Sequence, residues 1–196
     1  QNVFCVGSLG VENIKRIDFK NRAYFKKEYG ISFSSKNILV SFHPVTLEPN
    51  SEKKFIKELI DALKQFKNCK IIFTSPNADH GNYIIIDKIK KFVKKNKNAI
   101  YVNSFGHEDY LSCLKIVDVI IGNSSSGIIE APSLKTFSVD LGDRQKGRVK
   151  AKSVLGCKIN KNLIVKNIRV ILSKNNNNIN KHIFQNPYDK NNTSKK

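Results

Sequence analysis

The chain contains no methionine and no tryptophan, and no apolar run approaches the ~20 residues that a bilayer-spanning helix needs. The first residues also lack the order of a secretory signal, a basic segment followed by an apolar stretch. A cytoplasmic protein that binds no membrane is therefore expected. Cysteine is sparse: Cys5, Cys69, Cys113 and Cys157 lie far apart, with no CxxC pair and no His/Cys cluster at ligand spacing. That pattern argues for reduced thiols and against a disulfide framework or a zinc site. The most informative shortage is arginine. Only Arg16, Arg22, Arg144, Arg148 and Arg169 stand among 35 basic residues, although the formal net charge is +19. Base reading and forked phosphate contacts favour arginine. The lysines instead fall on expected helix faces and in an Asn-rich tail, so nucleic acid is not the expected partner. A basic nucleic-acid-binding module stays as the alternative of a different class, recognisable by steeply salt-dependent binding.

What is present is a recurring alternation. Apolar, β-rich runs occur at Val3 to Val6, Ile38 to Phe42, Ile71 to Thr74, Ile100 to Val102, Val119 to Ile121 and Phe137 to Leu141. Most are continuous, as strands buried on both faces of a parallel sheet must be. Helical periodicity separates them. From Ser51 to Phe66 the residues Phe55, Ile56, Leu59, Ile60, Leu63 and Phe66 recur at three- and four-residue steps, with Glu52 in the first turn. Similar patterns run from about Tyr83 to Lys95 and from Glu108 to Val117. Strand and helix in alternation predict an α/β fold, a Rossmann-like doubly wound parallel sheet. Residues 1–172 are expected to form this domain and 173–196, rich in Asn and Lys, a flexible tail. With no Met, and with Gln1 leading directly into VFCVGSLG, the sequence reads as a piece of a longer protein.

In open α/β sheets, ligands bind beyond the carboxyl ends of the strands. Three loops occupy that position. In VDVIIGNSSSGIIEAPSL, Gly122 permits a tight turn and Asn123 to Ser126 place small polar groups at a helix start, where a diphosphate can sit. Glu130 falls one to two turns further on, where a carboxylate can accept from both hydroxyls of a ribose. Simple helix capping by the serines explains the same residues equally well. In ILVSFHPVT, His43 stands at a strand end ahead of Pro44, placed to donate to phosphate or to move a proton. In IIFTSPNADHG, a turn-rich loop carries Asn77 towards the same crevice. Arg144 and Arg148 lie in a Gly-bounded loop, LGDRQKGR, suited to an anionic substrate or to plain solvation.

Taken together, GSLGVEN, FHPVT, SPNADHG, IGNSSSGIIEAPSL and LGDRQKGRVKAKSV resemble, in order and spacing, the second half of the hydrolysing UDP-N-acetylglucosamine 2-epimerases, in particular the branch serving sialic- and legionaminic-acid synthesis. The resemblance covers roughly residues 1 to 170 and is specific in its combination of segments. It implies the C-terminal domain of a GT-B type two-domain enzyme that converts UDP-GlcNAc, or a 4-acetamido-4,6-dideoxy analogue, and water to N-acetylmannosamine, or its analogue, and UDP. It also implies no metal, no cofactor, a UDP-sugar as partner and a homodimer for the full-length protein. By motif, His43 matches the histidine near the diphosphate and reacting sugar, Asn77 the asparagine of the next loop, and Phe105 the position that contacts uracil largely through backbone. Ser124 and Ser125 match the phosphate-binding serines, Glu130 the ribose carboxylate and Arg144 the arginine of the GDRQ loop. The family's catalytic carboxylates belong to an amino-terminal half that these segments do not include, so this fragment alone is expected to be inactive. A GT-B glycosyltransferase donor domain is the enzymatic alternative.

Overall fold

The computed structural model describes residues 6–45, 51–174 and 180–190. Six strands form one wholly parallel sheet: β1 (Asn37–Ser41), β2 (Lys70–Thr74), β3 (Ala99–Val102), β4 (Val119–Gly122), β5 (Phe137–Leu141) and β6 (Val154–Cys157), in the order β3-β2-β1-β4-β5-β6. The chain leaves β1 towards one edge and returns to β4 on its other side, so the strand order reverses at the β1/β4 boundary. That reversal opens a crevice at the carboxyl ends of the strands. The expected strand Val3 to Val6 falls outside the described residues except for Val6.

Alternation along the strands sorts the core into two layers. Ile38 and Val40 of β1 face one layer with Ile71, Phe73, Val119 and Ile121. Leu39, Ile72 and Ile120 face the other. The first layer is covered by α3 (Glu52–Leu63), α4 (Asn82–Lys95) and α7 (Lys161–Leu172). The second is covered by α1 (Leu9–Ile14), α2 (Arg22–Tyr29) and α5 (Gly106–Ile116). In α3 the buried residues Ile56, Leu59, Ile60 and Leu63 keep the spacing read from the sequence. No helix among the described residues is long and apolar enough to cross a membrane.

Four elements, α1, α2, β6 and α7, were not read from the sequence. Strand β6, VLGC, is four residues long and interrupted by the exposed Gly156, so although Leu155 packs against the first layer no apolar run stands out. Helix α7 mixes Lys and Asn with its apolar face, yet Ile164, Val165, Ile168 and Ile171 are buried and Asn160 caps the start by accepting from the N–H groups of Asn162 and Leu163.

Residues 180–190, within the stretch expected to be a flexible tail, make defined contacts with the domain. This segment lies as a strap along the domain. A 3₁₀ turn at Lys181–Phe184 stacks Phe184 edge-on to Phe137 at 5.0 Å, and the Ser153 N–H donates to the Ile183 carbonyl at 2.9 Å. Asn186 Nδ2 donates to the Ile129 carbonyl at 2.8 Å and to Ser133 Oγ at 2.7 Å. Ile183, Phe184 and Tyr188 supply its apolar contacts. Composition averages these few anchors over a polar stretch and hides them.

Gly122 ends β4 with φ of 147°, and a Cβ there would stand 1.8 Å from the Ser41 carbonyl oxygen of β1. Gly122→Ala therefore has to part β1 from β4 at the mouth of the crevice. We expect a loss of about 3 kcal/mol, read as a fall of roughly 6–12 °C in Tm; a melting temperature equal to the parent's would contradict this packing.

Candidate functional site

The crevice holds a cleft of about 330 Å³ built from five strand-end loops. Its lining includes His43 after β1, Asn77 after β2, Phe105 after β3, Ser124 and Ser125 after β4, and Arg144 after β5. Six of the seven residues expected at the site thus meet in one place, and Glu130 does not line it.

Asn123, fully buried, binds these loops together. Its Oδ1 accepts from the His43 backbone N–H at 2.7 Å while its Nδ2 donates to the His43 carbonyl at 2.9 Å. Its own N–H donates to the Ser41 carbonyl at 3.2 Å. Its carbonyl accepts from Arg144 at 3.1 Å and from Gln145 Nε2 at 3.0 Å. One side chain and one peptide unit therefore fix the position of the histidine and the arginine relative to the serine loop.

His43 is 7% exposed. Its Nδ1 accepts the Asn77 backbone N–H at 3.0 Å, so this nitrogen carries a lone pair and Nε2 carries the proton, as assigned from the hydrogen-bond partners. Nε2 lies 3.4 Å from Ser41 Oγ, a long contact that leaves its N–H open to a better acceptor. Burial, and after it the charge of Arg144, push the imidazole down to about 4, with Asp79 opposing. At neutral pH His43 is thus a neutral donor through Nε2. Asn77 serves it through backbone, with its side chain exposed.

The serine loop differs from expectation in one respect. α6 (Ser126–Ile129) is a single turn, too short for a sizeable helix dipole. What it offers to an anion is local: among the described residues the amides of Ser124 and Ser125 have no hydrogen-bond partner, and the two hydroxyls stand beside them. With the chain turning at Glu130, its carboxyl sits behind Ser126 and against Gly10 of α1, where burial raises its pKa. Three buried oxygens gather here without a partner: Tyr110 Oη, Ser126 Oγ and Glu130 Oε2. The Tyr110 and Ser126 hydroxyls are close enough to bear on Tyr110's ionisation yet fall short of hydrogen-bond geometry. Phe105 turns its ring inward, 4.8 Å from Tyr29, and leaves the backbone of 103–106 at the cleft.

The sequence marks Asn123 only as one of the small polar groups of the serine loop and Gln145 only within LGDRQKGR, and it assigns no role to Ser41 or Tyr110. The first two carried a weak signal as amides flanked by turn residues at strand ends. Tyr110 carried none, since it reads as part of a helix face.

The family model described as UDP-N-acetylglucosamine 2-epimerase matches residues 1–196. The chain is 44% identical over 170 residues to polysialic acid biosynthesis protein P7 of Escherichia coli, covering 86% of this chain and 43% of that protein. It is 37% identical over 161 residues to the hydrolysing GDP/UDP-N,N'-diacetylbacillosamine 2-epimerase of Campylobacter jejuni, covering 82% and 42%. Among solved structures it is similar in fold to the UDP-GlcNAc 2-epimerase of Methanocaldococcus jannaschii in complex with UDP-GlcNAc and UDP, with a TM-score of 0.65, 22% identity and coverage of 92% and 52%. The chain thus spans less than half the length of the two sequence relatives.

The protonation of His43 has a measurable consequence. Between pH 4 and 6.5 the unfolded chain binds a proton that the folded imidazole refuses, so stability falls as pH drops through this window and is unaffected by this group above it. Urea unfolding at pH 7 and pH 4.5 should differ by roughly 2 to 3 kcal/mol on this account. Glu130, with its raised pKa, works in the opposite direction in both proteins, so the comparison with His43→Gln isolates the histidine. An unchanged pH dependence in His43→Gln would refute the assignment.

Proposed function

The chain belongs to the UDP-N-acetylglucosamine 2-epimerase family, and from that premise we propose that it is the UDP-gripping half of a hydrolysing 2-epimerase. The reaction of the whole protein takes UDP-GlcNAc, or a 4-acetamido-4,6-dideoxy analogue, and water to N-acetylmannosamine, or its analogue, and UDP, for the synthesis of nonulosonic acids such as sialic and legionaminic acid. The observation that carries this reading is the convergence of His43, Ser124, Ser125 and Arg144 on one cleft at the strand-order reversal.

A leaving diphosphate gathers negative charge as the C1–O bond breaks, and each of these groups answers that charge. The Ser124 and Ser125 amides and hydroxyls donate to one phosphate. Arg144 supplies the cation, and His43 donates its Nε2 proton without the cost of first acquiring a charge. Phe105's backbone holds uracil, whereas Glu130, which lies behind Ser126 and off the cleft lining, is matched to the ribose by family resemblance alone. The sequence of bond changes is abstraction of the C2 proton with loss of UDP, leaving a glycal-like intermediate. Water then adds at C1 and a proton returns to C2. Among the described residues no Asp or Glu lines the cleft, and Nδ1 of His43 is occupied by the Asn77 amide. Both facts support placing the C2 acid and base in the remainder of the whole protein, which we read as a cytoplasmic homodimer.

Calorimetric titration tests the reading. UDP should bind this chain, and Arg144→Ala should weaken it roughly tenfold or more, since a charge-assisted hydrogen bond contributes about 1.5–3 kcal/mol. Gln145 still holds the Asn123 carbonyl in that variant, so the fold is kept. No N-acetylmannosamine should be released by the chain alone. UDP binding unaffected by Arg144→Ala would contradict the proposal.

A further inference from the structure

A second cavity, of about 710 Å³, shares no lining residue with the cleft. Lys135 and Lys152 on its wall precede β5 and β6, at the opposite end of the sheet from the proposed nucleotide site. The strap closes its far side with Lys181, so three segments distant in sequence converge on one concavity.

The charge around this cavity is unbalanced. Lys150 is neutralised by Asp140, itself 2% exposed, at 2.8 Å, and Asp189 is engaged by Lys15 at 3.0 Å. Lys135, Lys152 and Lys181 have no acidic partner among the described residues. Three like charges around one hollow repel each other, and a bound anion removes that repulsion. Lys135 takes the left-handed conformation, φ 59°, because it ends the turn of 131–134, where the Thr136 N–H donates to the Ala131 carbonyl at 2.9 Å, and this sets its side chain on the cavity wall.

We propose that this cavity is a binding site for a small, multiply charged phosphate, separate from the nucleotide cleft. Its volume lies within the range of roughly 300–1,000 Å³ found for small-molecule sites. Ammonium groups without arginine suit the compact charges of a phosphate better than the planar fork of a carboxylate. Ser133 and Gln185 add uncharged hydrogen-bonding groups to the wall.

The test is calorimetric titration with inorganic pyrophosphate of the parent chain, of Lys135→Ala/Lys152→Ala/Lys181→Ala, and of Arg144→Ala. The triple variant should lose roughly tenfold or more in pyrophosphate affinity at this site, while Arg144→Ala, altered only in the cleft, retains it. Pyrophosphate uptake equal to the parent's in the triple variant, or abolished entirely by Arg144→Ala, would overturn the proposal. Lys135→Gly, which keeps the backbone conformation accessible, guards against misfolding and should weaken binding about threefold. Uptake of an RNA oligonucleotide with no response to pyrophosphate would also overturn it.

Discussion

The site depends on the hydrogen bonds of Asn123. A fully buried amide that both accepts from and donates to the His43 peptide makes the end of β1 and the start of the serine loop a single rigid unit. Its carbonyl, shared by Arg144 and Gln145, extends that unit to the loop after β5. Every donor and acceptor of a buried amide must be matched, because an orphaned one costs about 1–3 kcal/mol. Here the matching partners are the loops that line the cleft, so satisfying Asn123 and shaping the cleft are the same event. Gly122 makes this possible by letting β4 close against the Ser41 carbonyl where any side chain would collide.

Electrostatics follow from that arrangement. Fixing His43 in a buried position beside Arg144 removes its charge, and the Asn77 amide on Nδ1 leaves a neutral imidazole whose one proton points from Nε2. Among the described residues the cleft is left with one arginine, a neutral donor and the unpaired amides of Ser124 and Ser125, with no carboxylate on its lining, a set that favours an incoming anion. Behind this wall lie the buried oxygens of Tyr110, Ser126 and Glu130, Oη, Oγ and Oε2, without a hydrogen-bond partner. Such groups are retained at sites more readily than in cores, where they would only destabilise.

How much of this was legible in the sequence follows from how local each determinant is. The strands at Ile71 to Thr74 and Val119 to Ile121 announced themselves through continuous apolar runs, the strand at Phe137 to Leu141 through apolar residues at alternate positions, and α3 through its period. The position of His43 followed from one strand end, because the topology rule for open sheets needs nothing beyond local pattern. Asn123 was visible only as a small polar residue, since its role rests on partners 80 residues away in sequence. The single-turn length of α6 could not be seen either, because GIIEAPSL carries helix-compatible residues up to Pro132. The contacts of 180–190 were not legible for the same reason as those of Asn123: Asn186, Phe184 and Tyr188 act on distant residues and leave no local period.

The central claim is that one cleft at the β1/β4 reversal takes the diphosphate of a UDP-sugar. Amide chemical-shift mapping of the 15N-labelled chain on addition of UDP tests it most directly, because the amides themselves are the proposed ligands. The largest shifts are expected at Ser124 and Ser125, with Asn77 following through its bond to His43, and little change at Lys135 and Lys152. Shifts concentrated at Lys135 and Lys152, with Ser124 and Ser125 silent, would contradict it.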